Sequence, residues 1–457
     1  MEFTVRRSRP ELVAPAKPTP RELKPLSDID SQEGLRFQIP FIMLYRHDPS
    51  MEGTDPVGII RKALAEALVY YYPLAGRLRE GGDRKLMVDC TAEGVLFIEA
   101  DADVTLDQFG DLLHPPFPCF DELLHHLPAS YSIINSPLLL IQVTRLKCGG
   151  FIMAVRLNHA VSDGPGLLQF LKALSEIARG ASQPSILPVW QRELLTARNP
   201  PRVTRIHHEY NEQDSYINHQ FHPIFMSVPP QNIVQRSFLV RPSQIAALRR
   251  QLPNHLARSS SFQVLAACLW RCRTIALQPP PEVEVKLMFI VGVRSLLKPP
   301  DGYYGNGFLF PAVVSPAGKL MNNHFGYALE VMRKGKAAVN VEYVRSLVDL
   351  TVAKGRLHHT TVRSFIVSDM THAGFEDVDV GWGKAMHGGI AHSQSTVVPE
   401  MTSNFVSSKN SKGERFIVMP ISLPALAMEV FVREFNEMLI SGPQGPSVNA
   451  PGIMSSL

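Results

Sequence analysis

Apolar positions along this chain recur in two rhythms, one helical and one of strands. Val57, Ile60, Leu64, Leu68 and Tyr71 fall on one face of a helix that Asp55 caps, Pro56 opens and Pro73 ends. Phe151-Ile-Met-Ala-Val-Arg-Leu-Asn158 reads as a strand entering the core. Pro165 then starts a helix in which Leu167, Phe170, Leu171, Leu174, Ile177 and Ala178 repeat at helical spacing until Gly180. The segment from His159 to Gly164 is therefore a turn between a strand and a helix.

Beyond Ser182 the rhythm fades. Pro, Arg and polar residues dominate to about Gln235, apart from an apolar island at Phe221 to Val228, which predicts a long surface crossover between two domains. Ser261 is placed to cap a helix through Leu265, Cys268, Leu269, Cys272 and Ala276. Val283, Val285 and Leu287 alternate before the continuous run Met288 to Val291, so this strand becomes buried as it proceeds, with Arg294 at its end. The final third alternates strands such as Phe416 to Ile421 with helices such as Leu426 to Met438, and Ser441 to Leu457 reads as a frayed end. Mixed order without a repeat period predicts α/β layers built on mixed sheets.

Length turns this pattern into an architecture, because 457 residues exceed one ordinary core and suit two domains of roughly 200 residues with a cleft between them. Hydrophobic residues make up 45% and charged residues 19%, a globular composition. A net charge of +4 without a basic run argues against nucleic-acid binding, while still favouring a polyphosphate-bearing ligand. No apolar run reaches the roughly 18 residues that cross a bilayer. Cys90, Cys119, Cys148, Cys268 and Cys272 are scattered and odd in number behind a charged N-terminus, which reads as reduced thiols in the cytosol.

The sharpest chemical feature is Asn158-His159-Ala-Val-Ser-Asp163-Gly164. On a helix, His159 and Asp163 would share a face; in a turn, the imidazole is free to project into the cleft while the carboxylate points elsewhere. Taken alone, the pattern also fits a histidine of the core or surface. Ester formation from a thioester needs a base to accept the alcohol proton, and a neutral imidazole suits that task near pH 7. There is no Gly-x-Ser-x-Gly elbow, so direct attack in a ternary complex is simpler than a covalent acyl-enzyme. Asp379-Val-Gly-Trp-Gly383 sets Trp382 between Gly381 and Gly383, implying either a close backbone approach to a ligand or a core tryptophan beside a tight turn. The pairs His125-His126, His207-His208 and His358-His359 lack zinc spacing and read as surface or loop residues, so no metal is expected. Gly305-Asn-Gly307 lacks the third glycine of a dinucleotide loop.

His159-x-x-x-Asp163-Gly164 and Asp379-Val-Gly-Trp-Gly383, together with Tyr72-Pro-Leu-Ala-Gly-Arg77 and Tyr304-Gly-Asn306, occur in the order found in the plant BAHD acyltransferases. The chain resembles that family from about Arg6 to Met438. Leu26-Ser-Asp-Ile-Asp30, Arg77 to Glu80, Lys85 to Cys90 and Arg145 to Gly150 look most like members that make volatile esters, above all benzyl benzoate from benzoyl-CoA, with enzymes acylating an alkaloid alcohol near them. The resemblance implies an α/β fold of two pseudo-symmetric mixed-sheet domains, chloramphenicol acetyltransferase-like, with an interdomain channel. The first domain would be residues 1–190, supported by a crossover segment at about 364–395. A crossover loop at 191–235 and a second domain at 236–457 would follow.

The resemblance further implies His159 as general base, with Asp379 and Trp382 in the catalytic group and Trp382 assisting the oxyanion, although the Asp379 motif lies at a distance from the base in the family. Asp163, paired with Arg294, would support the site together with Gly164, Gly381 and Gly383. Acyl-CoA would be a co-substrate held in part near Ser261, without a permanently bound cofactor, and a small alcohol the acceptor. A cytoplasmic monomer without nucleic-acid or membrane partners is expected. Transfer of benzoyl, tigloyl or acetyl to an alkaloid or aliphatic alcohol stays open, as does a non-catalytic acyl-CoA-binding relative. Val380 stands where the family usually has Phe, which leaves a gap unless neighbours fill it.

Overall fold

A computed structural model describes residues 3–110, 114, 117, 120–126, 133–210, 232–356, 359–360, 363–391, 401–410 and 412–440. Two large mixed sheets organise it. The first runs, in spatial order, Val5–Arg7, Val95–Ala102, Leu139–Leu146, Phe151–Asn158, Gln38–Tyr45 and His387–Ile390, with Glu11–Val13 also on the Val95–Ala102 strand. The second runs Ile233–Val240, Arg415–Pro424, Thr402–Lys409, Ser364–Asp369, Glu284–Phe289 and Ala312–Pro316.

Phe151–Asn158 is buried along its whole length because both faces of its sheet are covered. Phe151, Met153, Val155 and Leu157 enter one core, while Ile152 and Ala154 enter another on the opposite face. Helices Pro56–Tyr70 and Gly164–Ala178 cover the first face and pack on each other. The Asp55 carboxylate accepts from the amides of Val57 and Gly58, the cap expected for the earlier helix. In the second domain, Ser261–Leu277 packs between Phe325–Ala338 and Ala425–Ile440. Its N-cap is Ser260, one residue before the expected Ser261. Ser260 accepts from the Gln263 amide and Gln263 reaches back to the Ser260 amide, a capping box that the neighbouring serine could not form in the same register.

Two other expectations change. The segment foreseen to cross over, 364–395, divides between the sheets: Ser364–Asp369 is an inner strand of the second, and only His387–Ile390 joins the first, antiparallel to Gln38–Tyr45. The foreseen crossover loop 191–235 is largely exposed where it is described, but it is anchored at a few points that enter the interior. Arg192, Leu195, His207, Glu209 and Tyr210 are buried, because charges that read as solvent-facing one at a time find partners inside. Arg198 likewise grips Asp349 at 2.6 Å, and the strand Ile233–Val240 already begins inside the foreseen loop. The apolar island Phe221–Val228 and the end Ser441–Leu457 lie outside the described residues.

At Gly388, a Cβ would come within 2.4 Å of the Phe375 carbonyl carbon, so the crossing strand needs a residue without a side chain there. Gly388→Ala should lower unfolding free energy by about 1–3 kcal/mol through overpacking, measured as a shift of the urea midpoint at unchanged slope.

Candidate active site

Asn158 ends the buried strand, and the backbone then turns. The His159 amide donates to the Phe37 carbonyl at 2.9 Å, Val161 N–H returns to Asn158 O, and Asp163 becomes the N-cap of Gly164–Ala178 by accepting from Gly166 N–H at 3.0 Å. The turn thus sends its imidazole and its carboxylate in different directions.

Asp163 points across the domain seam. Its two oxygens accept from both terminal nitrogens of Arg294 at 2.7 Å each, and the Gly307 amide adds a further bond at 2.9 Å. A fork-to-fork pair of this kind fixes direction as well as distance. Arg294 also donates to Gly305 O at 2.6 Å, so it holds the Tyr304-Gly-Asn306 loop against the turn. Gly164 lines the cavity described next and starts the helix that Asp163 caps.

His159 faces a cavity of about 280 Å³ between the domains. The first domain contributes Phe37, Ile39, His159 and Pro165; the second contributes Met288, Phe308, Phe310, Ile366, Ser368 and Asn404. Phe37 stands edge-on to the imidazole at 5.2 Å between centroids, and Phe308 lies at 5.5 Å, with Phe310 against Phe308 and His359 against Phe310. One end of the cavity is thus walled by rings. His159 as a whole is 8% exposed. Burial pushes its pKa below the ordinary histidine value, while its own carbonyl, the nearby Asp163 and Asp30 carboxylates and the Asn306 side chain pull the other way. The ring is therefore neutral at pH 7, the form able to accept a proton. Nδ1 is sealed from solvent, which leaves Nε2 to serve the cavity.

Asp379 and Trp382 are not brought to this cavity. The Asp379 carboxylate accepts from the amides of Gly381 and Gly383 at 2.8 and 2.9 Å, closing a turn in which both glycines have positive φ. Trp382 packs edge-on to Phe151 at 5.3 Å. Phe151 and Asn158 are the two ends of one strand, about 23 Å apart at roughly 3.3 Å per residue. The tryptophan is thus far from His159, and its glycines serve a turn. Val380 is buried in the same core as Val378 and Ala385.

Ser261 lines a second pocket with Arg249, Ser260, Thr371 and Arg415, and this pocket shares Asp369 with the histidine cavity. Sequence reasoning missed the ring wall, and it missed two histidines. His207 is buried, its ring nitrogens 3.3 Å from Glu209 and 2.9 Å from Ser346 Oγ, and His359 sits in the cavity wall. Both were expected at the surface or in loops; partners far along the chain hold them inside. His358 lies outside the described residues. Among the described residues no group of three His, Cys, Asp or Glu side chains is arranged to hold a metal ion, and no helix is long and apolar enough to cross a membrane.

Residues 3–438 match the Transferase family. The chain belongs to it, within the BAHD acyltransferases. It is 58% identical over 439 residues to a benzyl alcohol O-benzoyltransferase of Nicotiana tabacum, covering 96% of this chain and 94% of that protein. It is 53% identical over 444 residues to a 13-hydroxylupanine O-tigloyltransferase of Lupinus albus, covering 95% of each. The crystal structure of vinorine synthase has the same two-domain fold, with a TM-score of 0.70 at 21% identity, covering 96% of this BAHD chain and 99% of that one.

The bidentate geometry of Asp163 and Arg294 predicts coupling. In a double-mutant cycle of Asp163→Asn and Arg294→Ala, the unfolding free energies should depart from additivity by about 1–3 kcal/mol; additive effects would mean that the pair is not a unit.

Proposed function

We propose that this chain transfers the benzoyl group of benzoyl-CoA to benzyl alcohol or a similar alcohol, with His159 as general base. The reaction class, acyl-CoA-dependent O-acylation of an alcohol, comes with membership of the family. The acyl donor is read from the cavity: Phe37, Phe308 and Phe310 beside His159 offer faces and edges to an aromatic ring, at a place where a neutral imidazole waits. That ring wall is the observation that carries the choice of substrate.

Nε2 of His159 takes the hydroxyl proton as the alcohol oxygen attacks the thioester carbonyl. The tetrahedral intermediate collapses with cleavage of the C–S bond, and the imidazolium returns its proton to the leaving thiolate. No enzyme-bound acyl group is formed. Asp163 and Arg294 hold the turn that carries the base, with Gly164 beside them. Asp379, Trp382, Gly381 and Gly383 support the crossing segment from a distance and touch neither substrate.

The charge of the adjoining pocket supports it as the coenzyme A site. Arg249, whose guanidinium donates to Ser261 Oγ at 3.1 Å, and Arg415 supply positive charge there, next to the N-terminus of the helix Ser261–Leu277. Asp369 lines both this pocket and the cavity of His159, which supports a path for the thioester arm between them. Both domains of one chain build this cleft, which supports a monomer as the working unit. The unpaired thiols Cys90, Cys148, Cys268 and Cys272 support a cytosolic setting.

A thiol-release assay across benzoyl-, tigloyl- and acetyl-CoA with benzyl, aliphatic and alkaloid alcohols tests the substrates. Benzoyl-CoA with benzyl alcohol should give the highest kcat/KM. Preference for tigloyl-CoA with an alkaloid alcohol would move the reading to the second relative, and acyl-CoA binding without thiol release in any combination would reject catalysis. His159→Ala should fold and lose roughly 10²- to 10⁴-fold in kcat. The depressed imidazole pKa has a definite sign: the base is active when deprotonated, so kcat/KM should hold as pH falls to the ordinary histidine value of about 6.5 and drop only below it. An acid limb above that value would contradict a buried base.

A further inference from the structure

The cavity that His159 faces has two unlike sides, because the second sheet forms its floor and changes character from strand to strand. Glu284–Phe289, Ser364–Asp369 and Thr402–Lys409 run across it in that spatial order. Phe308 stands beyond the first of these, on a short strand paired with Val291–Gly292. Phe365 and Val367 enter the core of the second domain, so alternation turns Ile366 and Ser368 to the cavity. Phe405 enters the same core, and Thr402 and Asn404 line the cavity. The register sets Met288 beside Ile366, Ile366 beside Thr402 and Ser368 beside Asn404. The floor is thus apolar near the rings and polar on the far side, at Ser368, Thr402 and Asn404.

Most polar groups around the cavity are already committed. Asp163 holds Arg294, Asp369 accepts from the amide and hydroxyl of Thr371, and His359, on the aromatic side, lies 3.2 Å from Tyr210 Oη. Thr402 and Asn404 also have partners. Ser368 differs. It is 4% exposed, and its hydroxyl makes no hydrogen bond with any described residue. A buried hydroxyl left without a partner is costly, and a ligand atom that bonds to it removes the cost.

Two substrates share this cavity. With the benzoyl ring against Phe37, Phe308 and Phe310, the acceptor is left the side of Ser368. Benzyl alcohol would turn its one hydroxyl to His159 and offer only carbon to the serine. We infer that the acceptor matched to this site carries a second hydroxyl, which bonds to Ser368 while the reacting hydroxyl faces His159. The inference rests on the placement of benzoyl at the ring wall.

Thiol release from benzoyl-CoA, measured with benzyl alcohol and with its 2-, 3- and 4-hydroxy derivatives, tests it. At least one hydroxybenzyl alcohol should exceed benzyl alcohol in kcat/KM by roughly 10- to 100-fold, the discrimination expected of one buried neutral hydrogen bond. Ser368→Ala should invert this order, because the hydroxylated acceptor loses its partner and benzyl alcohol no longer strands a hydroxyl. Ser368→Cys, nearly the same size and a weak donor, should also lose most of the preference, and serves if the alanine variant does not fold. Benzyl alcohol turned over at least as well as all three derivatives would overturn the inference. So would a preference that survives both substitutions, and so would an equal loss for every alcohol, which would place the serine on the thioester that all the reactions share. Failure of the underlying reading looks different. If tigloyl- or acetyl-CoA proves the better donor, or no alcohol releases thiol, the benzoyl assignment or catalysis itself falls, whatever the ranking of acceptors.

Discussion

A carboxylate that is 3% exposed in the seam between two domains survives as an ion only if donors surround it, and Asp163 meets that condition with Arg294 from one side and the Gly166 and Gly307 amides from others. Much else follows from this one constraint. The same side chain starts the helix Gly164–Ala178, ends the turn that carries His159, and docks the second domain. Moving any of the three would strand a buried charge. The pairing is reinforced along the seam by Ser162 donating to Tyr304 O at 2.5 Å, Gln169 to Gly302 O at 2.8 Å and Tyr45 to Val378 O at 2.9 Å. The pocket at Ser261 shares Asp369 with the cavity that His159 faces, on the same seam.

How legible this was in the sequence depended on how local the controlling interaction is. The helix from Pro56 and the strand from Phe151 were readable because their caps and periodicities lie within a few residues. The His159 turn was readable for the same reason, bounded by an apolar run and by a helix-starting Gly-Pro. Ser261 was read from local capping chemistry, one residue off the true cap, whereas the pairing of Arg294 with Asp163 came only from matching a family pattern. What could not be read were pairings across long separations. Arg192 looked like a solvent-facing charge because its partner Asp30 lies 162 residues away. His359 gave no signal, since only the folded seam sets it against Phe310 and Tyr210. Trp382 misled for a physical reason: glycines on both sides of an indole suit a ligand-facing turn and a packed one equally, and here the ring is spent on Phe151.

The electrostatics of His159 make a final point about how such a site spends its interactions. Burial keeps the imidazole neutral and so available, at some loss of intrinsic basicity. Asp163 and Asp30 lie near enough to favour a positive ring but are committed elsewhere, one to Arg294 and the other to Arg192 and Asn306. In the proposed reaction their field does little for the resting neutral ring and more as the proton moves across, when the imidazolium appears beside a developing oxyanion. An interaction that grows only along the reaction coordinate lowers the barrier without tightening the ground state. Direct contact of either carboxylate with the ring would reverse that advantage, holding the proton before the alcohol arrived. The guanidinium partners thus have a second effect besides stability, since by occupying the carboxylates they keep the imidazole free of a direct ion pair.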